Sequence, residues 1–422
     1  MKLEPLPLSL SPLSVRAALP ALRDCLSGQR AVLPVSPDEA GQRLAQIMGA
    51  EGSVYSHYSD YSDQADHPGT PETPGTLVAC TSGSTGTPKG ARLSASALRF
   101  SAEATATYFG RRFGCAPGPW LLALPPHHIA GVQVILRSLH AGFEPSVLPP
   151  QSHFTSANFA TATAALRLSH PNDDLYTSLV PTQLQRLLDD ADREPEFADH
   201  DGVAALRLYS AILVGGAATS PELVARCESE GIRIVRTYGS SETAGGMVYD
   251  GEAIPGTSAS IEDTDNSGTG RILLSGPTVA DGYRNVDSAD AFPEPQVFRT
   301  SDIGRIDDGV LSVLGRADGA ITSGGLKILP EDVERALASC GFTACVTGVP
   351  DPDWGESVAA VIEMKRSTDD LTRHVRDVLR GNGVEAHLIP RHSIGVGALP
   401  LTGPGKVDRQ AVRQLAATRL DA

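Results

Sequence analysis

The chain has 422 residues, 41% of them hydrophobic, and 35 basic against 50 acidic side chains, for a formal net charge of −15. That length supports a large core and more than one domain, while the acidic balance argues against nucleic acid or an anionic membrane as partner, since both select a basic face. An anionic small molecule would have to be met by a local cluster of donors.

The six cysteines (25, 80, 115, 227, 340 and 345) show neither a CxxC pair nor Cys/His zinc spacing, which fits reduced thiols in a cytoplasmic protein. Pro5, Pro7 and Pro12 interrupt the N-terminal stretch, and no following apolar run is long enough for a signal peptide or stable membrane insertion. Residues 13–26 have helical apolar spacing, with Pro20 expected to kink or split the helix. Residues 37–48 read as a second helix and 52–75 as a Ser/Tyr/Asp/Pro/Gly-rich surface linker.

From Leu77 strands and helices alternate. Strands are expected at 77–80, 120–124, 176–180, 211–214 and 232–237, with helices starting at Ser94, Ile129, Pro181 and Pro221. This alternation predicts an α/β fold, a mostly parallel sheet with helices on its faces. Between 256 and 314 short strands and Gly/Asn/Asp turns predict a β-rich subdomain. Beyond it, helices at 330–339 and 371–380 and strands at 344–349 and 358–363 predict a compact α+β tail. The expected organisation is a large N-terminal domain, 1–316 (α/β core 76–255, β-rich part 256–316), and a small mobile C-terminal domain, 317–422.

Residues 78–90 read V-A-C-T-S-G-S-T-G-T-P-K-G, a strand followed by a loop of hydroxyls and glycines ending in Lys89. Backbone can approach an anion closely at the glycines, and Lys89 adds a point charge, so the loop suits a polyphosphate. It is no Walker A loop, because Pro88 precedes the lysine and Gly90 follows it. A flexible Ser/Gly loop is the competing reading. Residues 237–242 read T-Y-G-S-S-E after a strand: Tyr238 can stack on a base, Ser241 donate to a phosphate and Glu242 hold Mg²⁺, or the run is a turn with a solvated Glu. Asp302, in F-R-T-S-D-I-G, suits ribose hydroxyls or a turn cap. Lys406, in P-L-T-G-P-G-K-V-D-R, sits on a Pro/Gly loop where a solvated lysine is the ordinary expectation.

In this order these stretches, with G-R-A-D-G-A-I-T-S-G-G-L-K from Gly315, resemble the adenylate-forming superfamily of acyl- and aryl-CoA synthetases, carrier-protein adenylation domains and luciferases. The resemblance runs from about Leu77 to Arg409. It implies ATP, Mg²⁺ and coenzyme A as cofactors or co-substrates. By resemblance Thr81, Ser82, Gly83, Ser84, Thr85, Gly86 and Lys89 handle the β- and γ-phosphates. Gly215, Gly216 and Ala217 enclose adenine with Tyr238 and Gly239, Ser241 meets the α-phosphate, and Glu242 binds the metal. Asp302 and Arg316 hold the ribose, Asp318 is the hinge, Gly324, Gly325 and Lys327 line the pantetheine path, and Lys406 bridges the carboxylate and α-phosphate. The chain departs from the usual pattern at Ser301, Ser241, Gly319 and Thr322, none of which removes a catalytic group.

Residues 124–142, L-P-P-H-H-I-A-G-V-Q-V-I-L-R-S-L-H-A-G, and 238–251, Y-G-S-S-E-T-A-G-G-M-V-Y-D-G, together with a short region before the phosphate loop, resemble the o-succinylbenzoate–CoA ligases of menaquinone biosynthesis. The implied substrate is a small aromatic carboxylic acid. Gly245 and Gly246 leave room for a flat ring, and His128 and Gln133 offer hydrogen bonds, His128 with a catalytic part. Arg137, four residues beyond Gln133, could reach a distal carboxylate but is expected at the surface. Adenylation of another acid, transfer to a carrier protein, and a non-enzymatic nucleotide-binding relic are the alternatives.

Overall fold

The computed structural model describes residues 1–50, 71–81, 88–149, 154–193, 201–364, 370–401 and 407–420. They form two compact units, 1–260 with 273–299, and 261–272 with 300–422.

The first unit begins with two parallel strands that the prolines conceal in the sequence, β1 (Leu3–Pro7) and, after helix α1 (Pro12–Leu26), β2 (Ala31–Val35). Pro20 neither splits nor ends α1. It lies on the solvent side, where water can meet the carbonyl it leaves without a donor, while Val15, Leu19, Leu22 and Cys25 bury the opposite face. Pro34 is tolerated because β2 meets its other neighbour at one residue pair, Val32 with Leu77. Helix α2 (Glu39–Ile47) starts at Asp38, whose carboxylate accepts from the Gly41 N–H at 2.9 Å. Then β3 (Leu77–Thr81) and β4 (Lys89–Leu93) complete a sheet of order β1-β2-β3-β4.

Helix α3 (Ala95–Phe113) leads into the second sheet, whose strands are β5 (Trp120–Leu122), β6 (Ser146–Val147), β7 (Tyr176–Leu179), β8 (Ala211–Gly215), β9 (Ile234–Ser240), β10 (Gly245–Tyr249) and β11 (Glu252–Ala253). Their order is β11-β10-β9-β8-β7-β5-β6, parallel from β6 to β9. The crossovers are α4 (Ile129–His140), α5 (Ser156–Ser169), α6 (Pro181–Arg193), α7 (Asp201–Leu206) and α8 (Pro221–Ser229). Both faces are buried: Ala211 and Leu213 join Leu19, Leu98 and Val132 on one side, while Ile212 and Val214 join Phe159, Leu184 and Leu223 on the other. Strand residues apolar at every position follow from that double burial. No helix among the described residues is long and apolar enough to cross a membrane.

Four strands, β12 (Ser258–Glu262), β13 (Gly270–Ser275), β14 (Val297–Asp307) and β15 (Val310–Arg316), make the β-rich sheet in that order. The second unit continues with β16 (Ile321–Ser323), β17 (Leu326–Ile328), α9 (Pro330–Ser339), β18 (Ala344–Asp351), β19 (Gly355–Glu363), α10 (Leu371–Gly381), β20 (His392–Val396) and α11 (Arg409–Leu420). Along β19, Val358, Ala360 and Ile362 pack with residues of α9 and α10, and Ala359 and Val361 with those of α11. The period of two along one central strand thus builds two cores. The residues expected to divide the domains, 316–318, lie inside this second unit.

Candidate active site

In the first unit the chemistry-bearing residues gather where parallel strands end. Gly215, the last residue of β8, pairs with Thr237 of β9, so the G-G-A run leaves the sheet beside Tyr238. Segments carrying the expected adenine residues, paired at positions 215 and 237, are brought together by register alone. A short 3-10 turn, Ser241–Thr243, then reverses the chain into β10. The Ser240 N–H donates to Thr243 Oγ1 at 2.9 Å, and that hydroxyl donates to the Gly245 carbonyl at 2.7 Å. Ala244 takes the left-handed conformation, φ 53°, and a register shift follows between Gly246 and Val248. At Gly239 a β-carbon would collide with the Gly245 carbonyl oxygen, which is backbone and cannot yield. Gly239→Ala should therefore cost about 1–3 kcal/mol by overpacking. The check is a lowered thermal midpoint, with an Ala control at the open Gly231, itself in the left-handed region, run beside it.

Glu242 is buried, 7% exposed. Its turn packs against β3 and β4, the two strands that border the expected phosphate loop. Across that hairpin Thr81 pairs with Lys89, so the two ends of the loop are adjacent; Ser82, Gly83, Ser84, Thr85 and Gly86 lie outside the described residues. The strap 280–285 crosses both features. The Ala280 N–H donates to the Glu242 carbonyl at 2.8 Å, and the Tyr283 hydroxyl to Glu242 Oε1, also at 2.8 Å. Lys89 Nζ stands 5.2 Å from the centroid of the Tyr283 ring. Asn285 closes the strap: its Nδ2 donates to the Pro88 carbonyl at 2.7 Å and its Oδ1 accepts from the Gly90 N–H at 3.1 Å. Burial and the Glu242 carboxylate both push the Tyr283 phenol well above its ordinary range, so it stays a proton donor.

A metal fits here only as a shared ion. Among the described residues no group of three or more His, Cys, Asp or Glu side chains is placed to hold one. Glu242 offers one carboxylate beside the strands that border the expected phosphate loop, which suits Mg²⁺ when it keeps waters and takes its other ligands from substrate phosphates.

On the acid side, Gln133 is fully buried in α4 and its Nε2 donates to the Ala244 carbonyl at 2.7 Å. A β-carbon on Gly245 would lie 3.5 Å from Gln133 Cγ, so the two stretches expected to line the acid pocket do meet. Among the described residues Gln133 Oε1 accepts no hydrogen bond. His128 is exposed at the N-cap of α4, and its ring lies 4.4 Å from that of His127, whose pKa burial lowers. The surface expectation for Arg137 is wrong. The residue is 5% exposed, its guanidinium 5.5 Å from the Trp120 ring centroid and its Nη2 3.3 Å from the Tyr249 hydroxyl. A guanidinium can be buried when aromatic faces and a hydroxyl replace part of its hydration.

The second unit carries the remaining expected residues. Asp302 on β14 pairs in register with Arg316 on β15, and their side chains approach to 3.5 Å. Arg316 also forks onto Asp318, with Nε and Nη2 at 2.8 and 2.6 Å from its two oxygens. Expected ribose and hinge residues therefore share one guanidinium. Gly324 and Gly325 form the turn between β16 and β17, exposed like Lys327. Lys406 lies outside the described residues; on its C-terminal side Arg409 is held by both oxygens of Glu334 at 2.9 Å.

Tyr283 and Asn285 are the site residues that sequence reasoning missed. The run D-G-Y-R-N, 281–285, is the signal that could have found them, an aromatic and an amide clustered in a turn.

A profile of the family described as AMP-binding enzyme matches residues 15–284, and one described as AMP-binding enzyme C-terminal domain matches 332–406. Among curated relatives, a probable 2-succinylbenzoate–CoA ligase of Mycobacterium tuberculosis is 39% identical over 341 residues, 80% of this chain and 83% of the relative. The indoleacetate–CoA ligase of Aromatoleum aromaticum is 30% identical over 364 residues, covering 81% and 68%. Of solved structures, wild-type Escherichia coli MenE with a bound analogue is 25% identical, with TM-score 0.67 over 98% of this chain and 88% of that one. An o-succinylbenzoate CoA synthetase of Bacillus subtilis in complex with its acyl-adenylate intermediate, also 25% identical, gives TM-score 0.65 over 80% and 68%.

Proposed function

The chain belongs to the AMP-binding enzyme family, and we propose that within it the protein is the o-succinylbenzoate–CoA ligase of menaquinone biosynthesis. The observation that carries this reading is the 39% identity to a probable 2-succinylbenzoate–CoA ligase over four-fifths of both chains. The contact of Gln133 with Ala244 supports it, since it joins the two stretches that distinguish this branch.

The reaction runs in two steps. The acid's carboxylate attacks the α-phosphorus of ATP, giving the acyl-adenylate and pyrophosphate. The CoA thiol, giving up its proton, then attacks the acyl carbonyl, and AMP leaves. Charge builds on phosphoryl oxygens in the first step, so positioned cations and donors supply most of the acceleration. Lys89 and the hydroxyls of its loop would hold the β- and γ-phosphates, Ser241 the α-phosphate, and Gly215, Gly216, Ala217, Tyr238 and Gly239 the adenine. Asp302 and Arg316 would hold the ribose, Lys406 the carboxylate and α-phosphate together, and Gly324, Gly325 and Lys327 the pantetheine. Mg²⁺, when bound, neutralises phosphate charge, and Glu242 would hold it. His128, Gln133, Gly245 and Gly246 would contact the acid. Dependence on ATP and CoA supports a cytoplasmic location.

Pyrophosphate release dependent on o-succinylbenzoate, followed by a CoA thioester, tests the reading; release with other aryl acids alone would overturn it. Glu242→Gln exchanges the metal-side charge for a neutral amide of the same shape. Adenylation at limiting Mg²⁺ should fall about 10²-fold, and a variant with unchanged Mg²⁺ dependence would refute the metal role.

A further inference from the structure

We propose that Tyr283 is a positioning residue that couples the metal side of the site to the phosphate side, orienting Glu242 with its hydroxyl and Lys89 with its ring. The inference rests on the assignment of Glu242 to the metal, and goes beyond it by naming what aims that carboxylate.

Three features of the first unit support it. Glu242 has two oxygens, and the Tyr283 hydroxyl occupies Oε1 at 2.8 Å; no hydrogen bond of the described residues uses Oε2. A carboxylate so held presents one oxygen in one direction, which suits a cation that takes a single carboxylate oxygen and keeps its waters. Second, the same ring lies under the Lys89 ammonium at 5.2 Å, so one side chain touches both charges of opposite sign that a bound nucleotide's phosphates and metal would need. Third, Tyr283 is anchored through both its backbone and its ring. Tyr283 forms a bridge with Ala91 of β4, its N–H donates to Ser288 Oγ at 2.7 Å, and Phe292 meets it edge-on at 5.2 Å. Glu242 and Tyr283 are 41 positions apart, so the contact exists only because the strap returns over the hairpin.

Tyr283→Phe removes the hydroxyl and keeps the ring. The Mg²⁺ concentration for half-maximal adenylation should rise about 10-fold, the usual cost of losing a partner that orients a metal ligand. Half-maximal acid concentration should not move. Equilibrium binding, read by calorimetry without the acid, should show Mg·ATP weakened and metal-free ATP in EDTA unchanged. Tyr283→Leu removes the ring as well and should weaken metal-free ATP too, since Lys89 loses its aromatic face. Each variant is compared with Glu242→Gln and with the double variant, in which Tyr283→Phe should add nothing further to the Mg²⁺ requirement. Wild-type Mg·ATP binding by Tyr283→Phe while Glu242→Gln is impaired would overturn the positioning role alone. Wild-type Mg²⁺ dependence in Glu242→Gln would overturn the metal assignment on which it rests. The thermal midpoint of each unliganded variant separates a folding defect from either outcome: Tyr283→Phe that binds Mg·ATP poorly only because it is partly unfolded would also lose metal-free ATP, and that result counts against the proposal.

Discussion

With ATP and CoA saturating, o-succinylbenzoate should be used about 10⁴-fold more efficiently than benzoate, measured as kcat/KM. The size of the ratio distinguishes two kinds of pocket. A cavity that recognises an acid by apolar shape discriminates by roughly 10–200-fold per methylene-sized difference, because only a small burial energy separates right from wrong. A site that hydrogen-bonds a particular group penalises its absence far more, since the site's own buried polar atoms then lose their partners. Gln133 is the candidate for that kind of group: it is fully buried, and its Nε2 donates one N–H to the Ala244 carbonyl and carries a second that can donate to an oxygen of the succinyl arm. Benzoate lacks the succinyl arm entirely and can satisfy neither the arm's carbonyl contacts nor its carboxylate contacts. Competition between the two acids at equal concentration, with the thioesters resolved by chromatography, measures the ratio directly. A ratio below about 200 would place the enzyme among general aryl-acid ligases.

How far the sequence reveals this site depends on whether a residue's neighbours are close in the chain. The alternation that predicts the second sheet is legible because each strand is short, apolar and followed at once by its helix, as at 211–229. Thr237–Glu242 is legible for the same reason, as a strand, turn and carboxylate within one hexapeptide. Strands β1 and β2 are not, because Pro5, Pro7 and Pro34 mimic loop composition; they survive in a sheet whose pairing beyond Val32 does not need their N–H groups. Arg137 misleads in the opposite way. Charge predicts exposure, and only the tertiary placement of Trp120 and Tyr249 shows how the guanidinium is accommodated. The tie between Tyr283 and Glu242 is invisible to any local pattern. The ion cluster of Asp302, Arg316 and Asp318 is half legible: each residue stands in a recognisable stretch, but their common partner follows from the β14–β15 register.

Lys406→Ala should slow acyl-adenylate formation by roughly 10²–10³-fold, as loss of one electrostatic stabiliser typically does, and leave thioester formation from supplied acyl-adenylate nearly unchanged. The repulsion that the lysine would offset belongs to the first step, where a carboxylate closes on an already anionic phosphate. A compact ammonium on a flexible stem suits that moment, because it can follow two oxyanions as they converge. In the second step charge develops instead on the carbonyl oxygen under thiol attack and on the phosphate of departing AMP, and we assign its neutralisation to groups other than Lys406. The segment carrying Lys406 is held at its borders: Leu401 bridges to Val407, the Asp408 N–H donates to the Pro400 carbonyl at 2.8 Å, and Arg409 grips Glu334. The lysine's contribution is thus tied to the placement of the whole C-terminal segment. We propose that this segment turns about Asp318 between the half-reactions, exchanging Lys406 for the 324–327 turn. Asp318→Pro should then show the reverse pattern. A fixed φ at 318 hinders the turn, and the proline also removes the carboxylate that Arg316 holds at 2.6 Å, so Asp318→Ala is the control that isolates the backbone effect. Adenylation in the proline variant should stay close to that of the alanine control while thioester formation drops. Rapid-quench measurement of acyl-adenylate and, separately, of thioester from synthetic acyl-adenylate distinguishes the cases. Equal slowing of both steps in Lys406→Ala would remove the reason to assign the lysine to one half-reaction, and with it the reason for the turn.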